Sequence, residues 1–431
     1  MWSLLLGANV TDRRFLRYFL VFLLVVACAV GGVFLAKAWR ARSKRLSLYA
    51  AAQPFFDANY YRTTYALGAL GDQQAFEHYM TQGYKDLRNP SADFDATFYE
   101  RLYLADYAGK VHGARQNPLL HYVRCGKTQG ALMHQKFIKK AVPLLNPKYY
   151  LCVAAIFRDE ARFLKEWIEY YLMMGVEHFY LTNHLSEDNY MEVLQPYIDK
   201  GLVTLRHETQ EVTGDYSVWR SIQSRAFTCA SDALAKKTEW LLLVDTDEYV
   251  VPYHKDSFAE FLRDYDDFAA VAIQWKTFGA GAVEEVKPDE LSIEKLVMGK
   301  PDDAADLTSG VLPNVNVGIK SVIKPRYASG PPMDHVTPLQ PGFVLVNGDK
   351  KPIQSCCYML PISDSQVRLF HYRMRDLKFC REVKMPRYKR LRSDDRNVWK
   401  ELESHNHLLS VKEDKRILRF VPELKRRMGL S

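Results

Sequence analysis

From residue 147 onward, short unbroken apolar runs alternate with stretches whose apolar positions recur at helical spacing. Leu151 to Phe157 (LCVAAIF) reads as a buried strand, and Glu160 to Met174 sets Phe163, Trp167, Tyr170, Tyr171 and Met174 along one helical face. A strand follows at His178 to Asn183, then a helix closing near Lys200-Gly201 and a strand at Leu202 to His207. A long helix from Ser217 to Ala235 leads to an almost wholly apolar strand, Trp240 to Val244. Strands that alternate with helices predict an α/β fold built on a mostly parallel sheet. Ligands of such sheets gather beyond the carboxyl ends of the strands, where Asp159, Asn183 and Asp245 fall.

The N-terminal third is patterned differently. After a short tail (1–17), Tyr18 to Ala36 runs 19 residues without a charge, which predicts one uncleaved transmembrane helix over 18–36. Arg13, Arg14 and Arg17 precede it, and Lys37, Arg40, Arg42, Lys44 and Arg45 follow. Positive-inside counting then expects a single-pass membrane protein with its C-terminal bulk in the cytoplasm, with a lumenal type II topology as the alternative. A basic linker (37–54) leads into a duplicated stretch over 55–145. Phe56-Asp57-Ala58 through Tyr65 matches Phe94-Asp95-Ala96 through Tyr103, and His78-Tyr79 with Gly83 matches His121-Tyr122 with Gly126. One such unit is too small to bury its own aromatic face, so a small helical repeat module is expected, with His78 and His121 serving packing.

Composition narrows the class. A chain of 431 residues, 48% hydrophobic and 26% charged, is neither disordered overall nor a disulfide scaffold. Seven cysteines without a CxxC pair or a zinc-spaced Cys/His cluster point to a reduced compartment. The net charge of +8 is unevenly placed: residues 1–45 carry +7, residues 46–374 carry −7, and residues 375–431 carry +8. The basic C-terminal part divides into two helical stretches, Arg375 to Arg392 and Lys412 to Arg427. They suit contact with anionic lipid, reach toward a diphosphate, or an ordinary solvated face. No nucleic-acid module is recognisable, so nucleic acid is not an expected partner, and neither GxGxxG nor GxxxxGK[ST] occurs.

The candidate chemistry follows the strand WLLLV, at Asp245-Thr246-Asp247-Glu248-Tyr249. Two carboxylates at i and i+2 leaving a buried strand can converge on a divalent cation, Mn²⁺ or Mg²⁺, that neutralises a departing diphosphate. An acidic solvated turn is the plain alternative.

Several ordered motifs carry a resemblance. Phe157-Arg158-Asp159-Glu160 precedes Leu164-Lys165-Glu166-Trp167-Ile168-Glu169-Tyr170 and Gly175-Val176-Glu177-His178-Phe179-Tyr180. Gln223, Ala226 and Cys229 lead to Trp240 and the acidic triplet; Trp275 precedes Phe278-Gly279-Ala280-Gly281; and Lys320-Ser321-Val322-Ile323-Lys324-Pro325 is followed by His335 and His371-Tyr372. Together these resemble GT-A fold glycosyltransferases, in particular glycosyltransferase family 92 and its DUF23-like relatives, with Asp159 in place of the usual Asn. The repeats resemble those beside glycosyltransferase domains of bacterial polysaccharide enzymes.

The resemblance implies a Rossmann-like GT-A domain over 150–374, followed by basic C-terminal helices (375–431). It implies metal-dependent transfer of a sugar from a nucleotide-sugar donor to a glycan or glycolipid hydroxyl, with a catalytically silent carbohydrate-binding or scaffold protein as the competing reading. Asp245, Asp247 and His371 are the expected metal ligands, Asp247 the more direct. Asp247, Glu248 and Asp334 are the expected catalytic residues, although Glu248 equally suits packing beneath the loop. Asp159, Glu160, Asp245, Lys320 and His335 are expected around the donor; Asp159 also suits a helix N-cap. Lys324 is a second candidate for the diphosphate. Asp334, Asp349 and Asp376 are placed as candidate general bases by position alone, and the Phe278 to Gly281 turn as a close approach for the acceptor.

Overall fold

The structure, a computed structural model, describes residues 43–44, 46–105, 113–212, 214–302, 316–354, 357–391 and 405–430. The expected anchor at 18–36 lies outside these residues, and among the described residues no helix is long and apolar enough to cross a membrane. Neither the expected transmembrane helix nor the single-pass localisation, cytoplasmic or lumenal, that rested on it is supported by the described residues.

The described residues fall into two compact units, one up to Thr97 with Arg115–Met133, the other Phe98–Ala114 with everything from His134. In the first, aromatic rings meet in pairs. Phe56 lies 5.7 Å from Tyr79, and Phe94 lies 5.9 Å from Tyr122, so each Phe packs on the Tyr of a His-Tyr pair. His78 accordingly serves packing, its Nδ1 lying 3.0 Å from Tyr61 Oη.

The second unit is built on β1 (Tyr149–Phe157), β2 (His178–His184), β3 (Val203–Glu208), β4 (Thr238–Leu243), β5 (Glu248–Pro252) and β6 (Ala270–Thr277). After these come β7 (Met298–Gly299), β8 (Ile319–Ile323), β9 (Leu345–Val346), β10 (Val367–His371) and β11 (Lys412–Glu413). The expected mostly parallel sheet is corrected to a mixed one, ordered β3-β2-β1-β4-β8-β6-β10-β5 with β9 beside β6. Only the first four strands form a continuous parallel run. β8 enters antiparallel to both β4 and β6, and β10 pairs antiparallel with β5. The turn from β4 to β5 has four residues (Val244–Asp247), too few for the crossover a parallel neighbour needs, so β5 leaves for the opposite edge. The strand order reverses between β1 and β4, which opens a crevice at their carboxyl ends.

The helix Ala161–Met173 carries the aromatic face read from the sequence, with Trp167, Tyr170 and Tyr171 fully buried. It starts where Asp188 Oδ2 accepts the Ala161 N–H at 2.7 Å. It ends at Gly175, whose φ is +88° and where a Cβ would come within 2.6 Å of Ala259 Cβ, so a side chain is excluded. Toward the C-terminus, Leu377–Phe379, a wide helical turn Cys380–Lys384 and Met385–Leu391 follow one another as expected. Lys412–Glu413 instead pairs as β11 with β7, and Ile417 and Leu424 join the main core, so this segment is part of the second unit.

One buried carboxylate ties the aromatic helix to a distant segment. Glu166 accepts from Ser292 N (2.9 Å), Ser292 Oγ (2.8 Å) and Ile293 N (3.1 Å), satisfying the first turn of Ser292–Lys295. Glu166→Ala orphans these donors in the core, and denaturant unfolding is expected to show a loss of about 3 kcal/mol, with Glu166→Gln losing less.

Candidate active site

The acidic turn is held from behind. Trp167 Nε1 and Tyr171 Oη donate to the Glu248 carbonyl at 3.1 and 3.0 Å, and Tyr170 Oη donates to the Val250 carbonyl at 2.9 Å. The aromatic helix thereby fixes where β5 begins. The Glu248 carboxylate turns back to accept the Asp245 N–H at 2.9 Å, closing the turn. In the antiparallel pairing of β10 with β5, His371 stands opposite Glu248, and its carbonyl accepts from Phe278 N at 2.9 Å. Strand register thus brings the late histidine beside an acidic triplet more than a hundred residues earlier.

The crevice is a cavity of about 530 Å³. Asp245, Thr246, Asp247, Glu160, Asp334, Trp275, His335 and His371 all line it. Two buried lysines organise its carboxylates. Lys320 Nζ lies 2.7 Å from Asp245 Oδ2, 3.4 Å from Glu248 Oε2, and in a short contact with Asp334 Oδ2. Lys384 Nζ donates to Asp247 Oδ2 at 2.5 Å and to the Arg373 carbonyl at 2.8 Å. His371 Nε2 faces the other side of that carboxylate, 3.7 Å from Asp247 Oδ1.

Protonation follows from these neighbours. Burial alone would raise the Asp247 carboxyl, but Lys384 and then His371 hold it well below the usual carboxylate range. Burial pushes Glu248 well up, and Asp245 and Asp247 reinforce this against the pull of Lys320. For Asp334, burial is outweighed by Lys320 and His335, and its carboxyl falls to about 2. Burial is also the main reason that both His371 and His335 titrate below ordinary imidazole.

Other expected residues sit elsewhere. Asp159 is not among the cavity residues and caps no helix: its backbone is left-handed (φ +51°), and its Oδ1 accepts the Glu187 N–H at 2.7 Å. Glu160 does line the cavity, held by Arg387 at 3.1 Å and Arg375 at 3.4 Å. Glu248 and Lys320 lie behind the wall, so each shapes the site from beneath, as the packing alternative for Glu248 expects. Lys324, at the other end of β8, pairs with Glu239 at 2.7 Å, away from the crevice. Asp376 accepts the Phe379 N–H at 2.8 Å as an N-cap, and Asp349 accepts from Ser363 Oγ at 2.9 Å. The Phe278 to Gly281 turn is filled by its own chain: Asn406 Oδ1 accepts from Ala280 N at 2.8 Å and Gly281 N at 3.1 Å.

Basic residues also line the cavity: Arg158, from the first motif, and Arg220, Arg373, Lys384, Arg387 and Arg390, which no motif marked. Charge clustering after residue 374 was the only signal for Lys384, Arg387 and Arg390. Among the described residues, Arg220, Arg373 and Arg390 have no acidic side-chain partner, which leaves three guanidinium groups for an anionic ligand.

Residues 147–407 match the model of glycosyltransferase family 92. A family 92 protein of Ricinus communis is 24% identical over 211 residues, 46% of this chain and 33% of that protein. One of Oryza sativa subsp. japonica is 28% identical over 115 residues, 27% of this chain and 18% of that protein. The chain thus spans about a third or less of these relatives. Among solved structures, S. aureus TarS with UDP aligns at 11% identity over 41% of this chain and 47% of that one, with a TM-score of 0.25. The family match begins past the aromatic repeats.

Removing Lys384 leaves Asp247 as an uncompensated buried charge. Lys384→Met is expected to cost about 3 kcal/mol in denaturant unfolding, and the double variant with Asp247→Asn to cost less than the sum of the single changes.

Proposed function

Because this chain belongs to glycosyltransferase family 92, we propose that its arginine-lined cavity binds a nucleotide-sugar donor and delivers the sugar to a hydroxyl of a glycan or glycolipid. The observation that carries this reading is Asp247 at the strand-order reversal, flanked by His371, in a cavity also lined by Arg220, Arg373 and Arg390, which form no ion pair among the described residues. A nucleoside diphosphate leaves as a polyanion, and preoriented cations around it stabilise that charge as it develops. Arg373 and Arg390, near Lys384, are suited to the diphosphate, and Glu160 with Arg158 and Arg387 forms the wall at the end of β1.

A divalent cation fits the donor set in kind. Asp247 Oδ1 and His371 Nε2, 3.7 Å apart, are an oxygen and an imidazole nitrogen suited to Mn²⁺, and Asp245 is the third donor. As placed, Asp245 is drawn toward Lys320, and among the described residues no three such side chains converge on one point. When bound, such a cation supplies Lewis-acid neutralisation of the departing diphosphate. Lys384 holds Asp247 through its other oxygen and so orients the carboxylate toward His371.

The test is release of nucleoside diphosphate from a panel of nucleotide sugars with acceptor and Mn²⁺. Wild type is expected to release it from at least one donor, and Asp247→Ala to lose about 100-fold or more. Undiminished release by Asp247→Ala, or none by wild type with any donor, overturns the reading.

A further inference from the structure

The acceptor hydroxyl must lose a proton as its oxygen bonds to the sugar, and the cavity's carboxylates are poorly placed to take it. Each is already paired with a cation: Glu160 with Arg387 and Arg375, Asp245 and Asp334 with Lys320, Asp247 with Lys384. A carboxylate stabilised in its charged form is a weak base. The histidines that line the cavity differ. His184 belongs to β2, two strands from the acidic turn, and His371 faces Asp247.

His335 remains. Its Nδ1 lies 2.6 Å from the Ile319 carbonyl, which can only accept, so Nδ1 carries the proton and Nε2 keeps a free lone pair. Asp334 Oδ2 stands 3.6 Å from that Nε2, suited to an imidazolium once formed. The Asp334 side chain is 2% exposed, and its Oδ1 is buried without a hydrogen-bond partner among the described residues. The Trp275 ring neighbours both His335 (5.2 Å) and His371 (4.7 Å).

We propose that His335 Nε2 is the general base of an inverting transfer. The acceptor O–H proton passes to Nε2, the acceptor oxygen forms its bond to the anomeric carbon, and the bond from that carbon to the diphosphate breaks with its electron pair leaving on the diphosphate. The product therefore carries the opposite anomeric configuration to the donor. The assignment rests on the transferase reading above. Around His335 stand Asp334 on its own segment, Lys320 and the Ile319 carbonyl from β8, Trp275 from β6 and Asp245 from the turn after β4. Burial, reinforced by Lys320, outweighs the pull of Asp334, so the ring stays neutral at pH 7 and protonates only below the ordinary value of 6.5. Transfer then fails as pH falls through that depressed value.

Three measurements on the full chain test this, once a donor is found. His335→Gln is expected to lower kcat by about 10²- to 10⁴-fold with donor KM unchanged, and to lose the acidic limb of the pH–rate profile. His335→Ala is expected to regain turnover with added imidazole, which a purely structural defect would not. The wild-type product, read by NMR, is expected to be inverted. Wild-type kcat in His335→Gln, an unaltered acidic limb, or a retained anomer overturns the proposal. If both variants fail to fold, the wild-type product and acidic limb decide it. Failure of the transferase reading looks different, since wild type then releases no nucleoside diphosphate from any donor.

Discussion

One buried ammonium organises the site. Lys320 Nζ reaches carboxylates from three places in the chain: Asp245 at the end of β4, Glu248 at the start of β5 and Asp334 in the loop after β8. Burying a lysine is costly unless acidic partners surround it, and burying those partners is costly without the lysine. The four groups therefore constrain one another's positions. Because β8 enters the sheet against both β4 and β6, Lys320 arrives beneath the acidic turn as a consequence of strand pairing. The same pairing pins Asp334, and with it the neighbouring His335, to the cavity wall.

Aromatic packing supplies the mechanical support that the charges do not. Trp167, Tyr170 and Tyr171 bury their rings and spend their polar ends on β5 carbonyls. Trp167 and Tyr170 belong to the motif Leu164 to Tyr170 that carries the resemblance, and their contacts give it a physical reason. The motif describes the scaffold of the acidic turn more than the chemistry in front of it.

What was legible in the sequence follows the range of the interactions. The parallel strands β1 to β4 and their helices were readable because apolar periodicity is local. Asp245, Asp247 and His371 were readable because ordered motifs marked them, and they do meet around one cavity. The antiparallel entry of β8 was not, since a five-residue strand (Ile319-Lys320-Ser321-Val322-Ile323) carries no record of its partners. Nor were the roles of the lysines: Lys320 and Lys324 belong to one motif, yet one anchors the acidic turn and the other pairs with Glu239 at the strand's far end. The basic segment after residue 374 was visible as charge, but only tertiary structure carries Lys384 and Arg387 into the crevice.

Asp159 offers a different lesson. It replaces the Asn usual in the family, and its side chain serves a neighbouring loop. Its backbone stands at φ +51°, a conformation that Asn and Asp adopt more readily than other residues bearing a side chain. The two share little as ligands, one neutral and one charged, but they share this tolerance. Exchange between them is thus permitted by the path of the main chain, which asks of this position a tolerance for the left-handed region that both residues share.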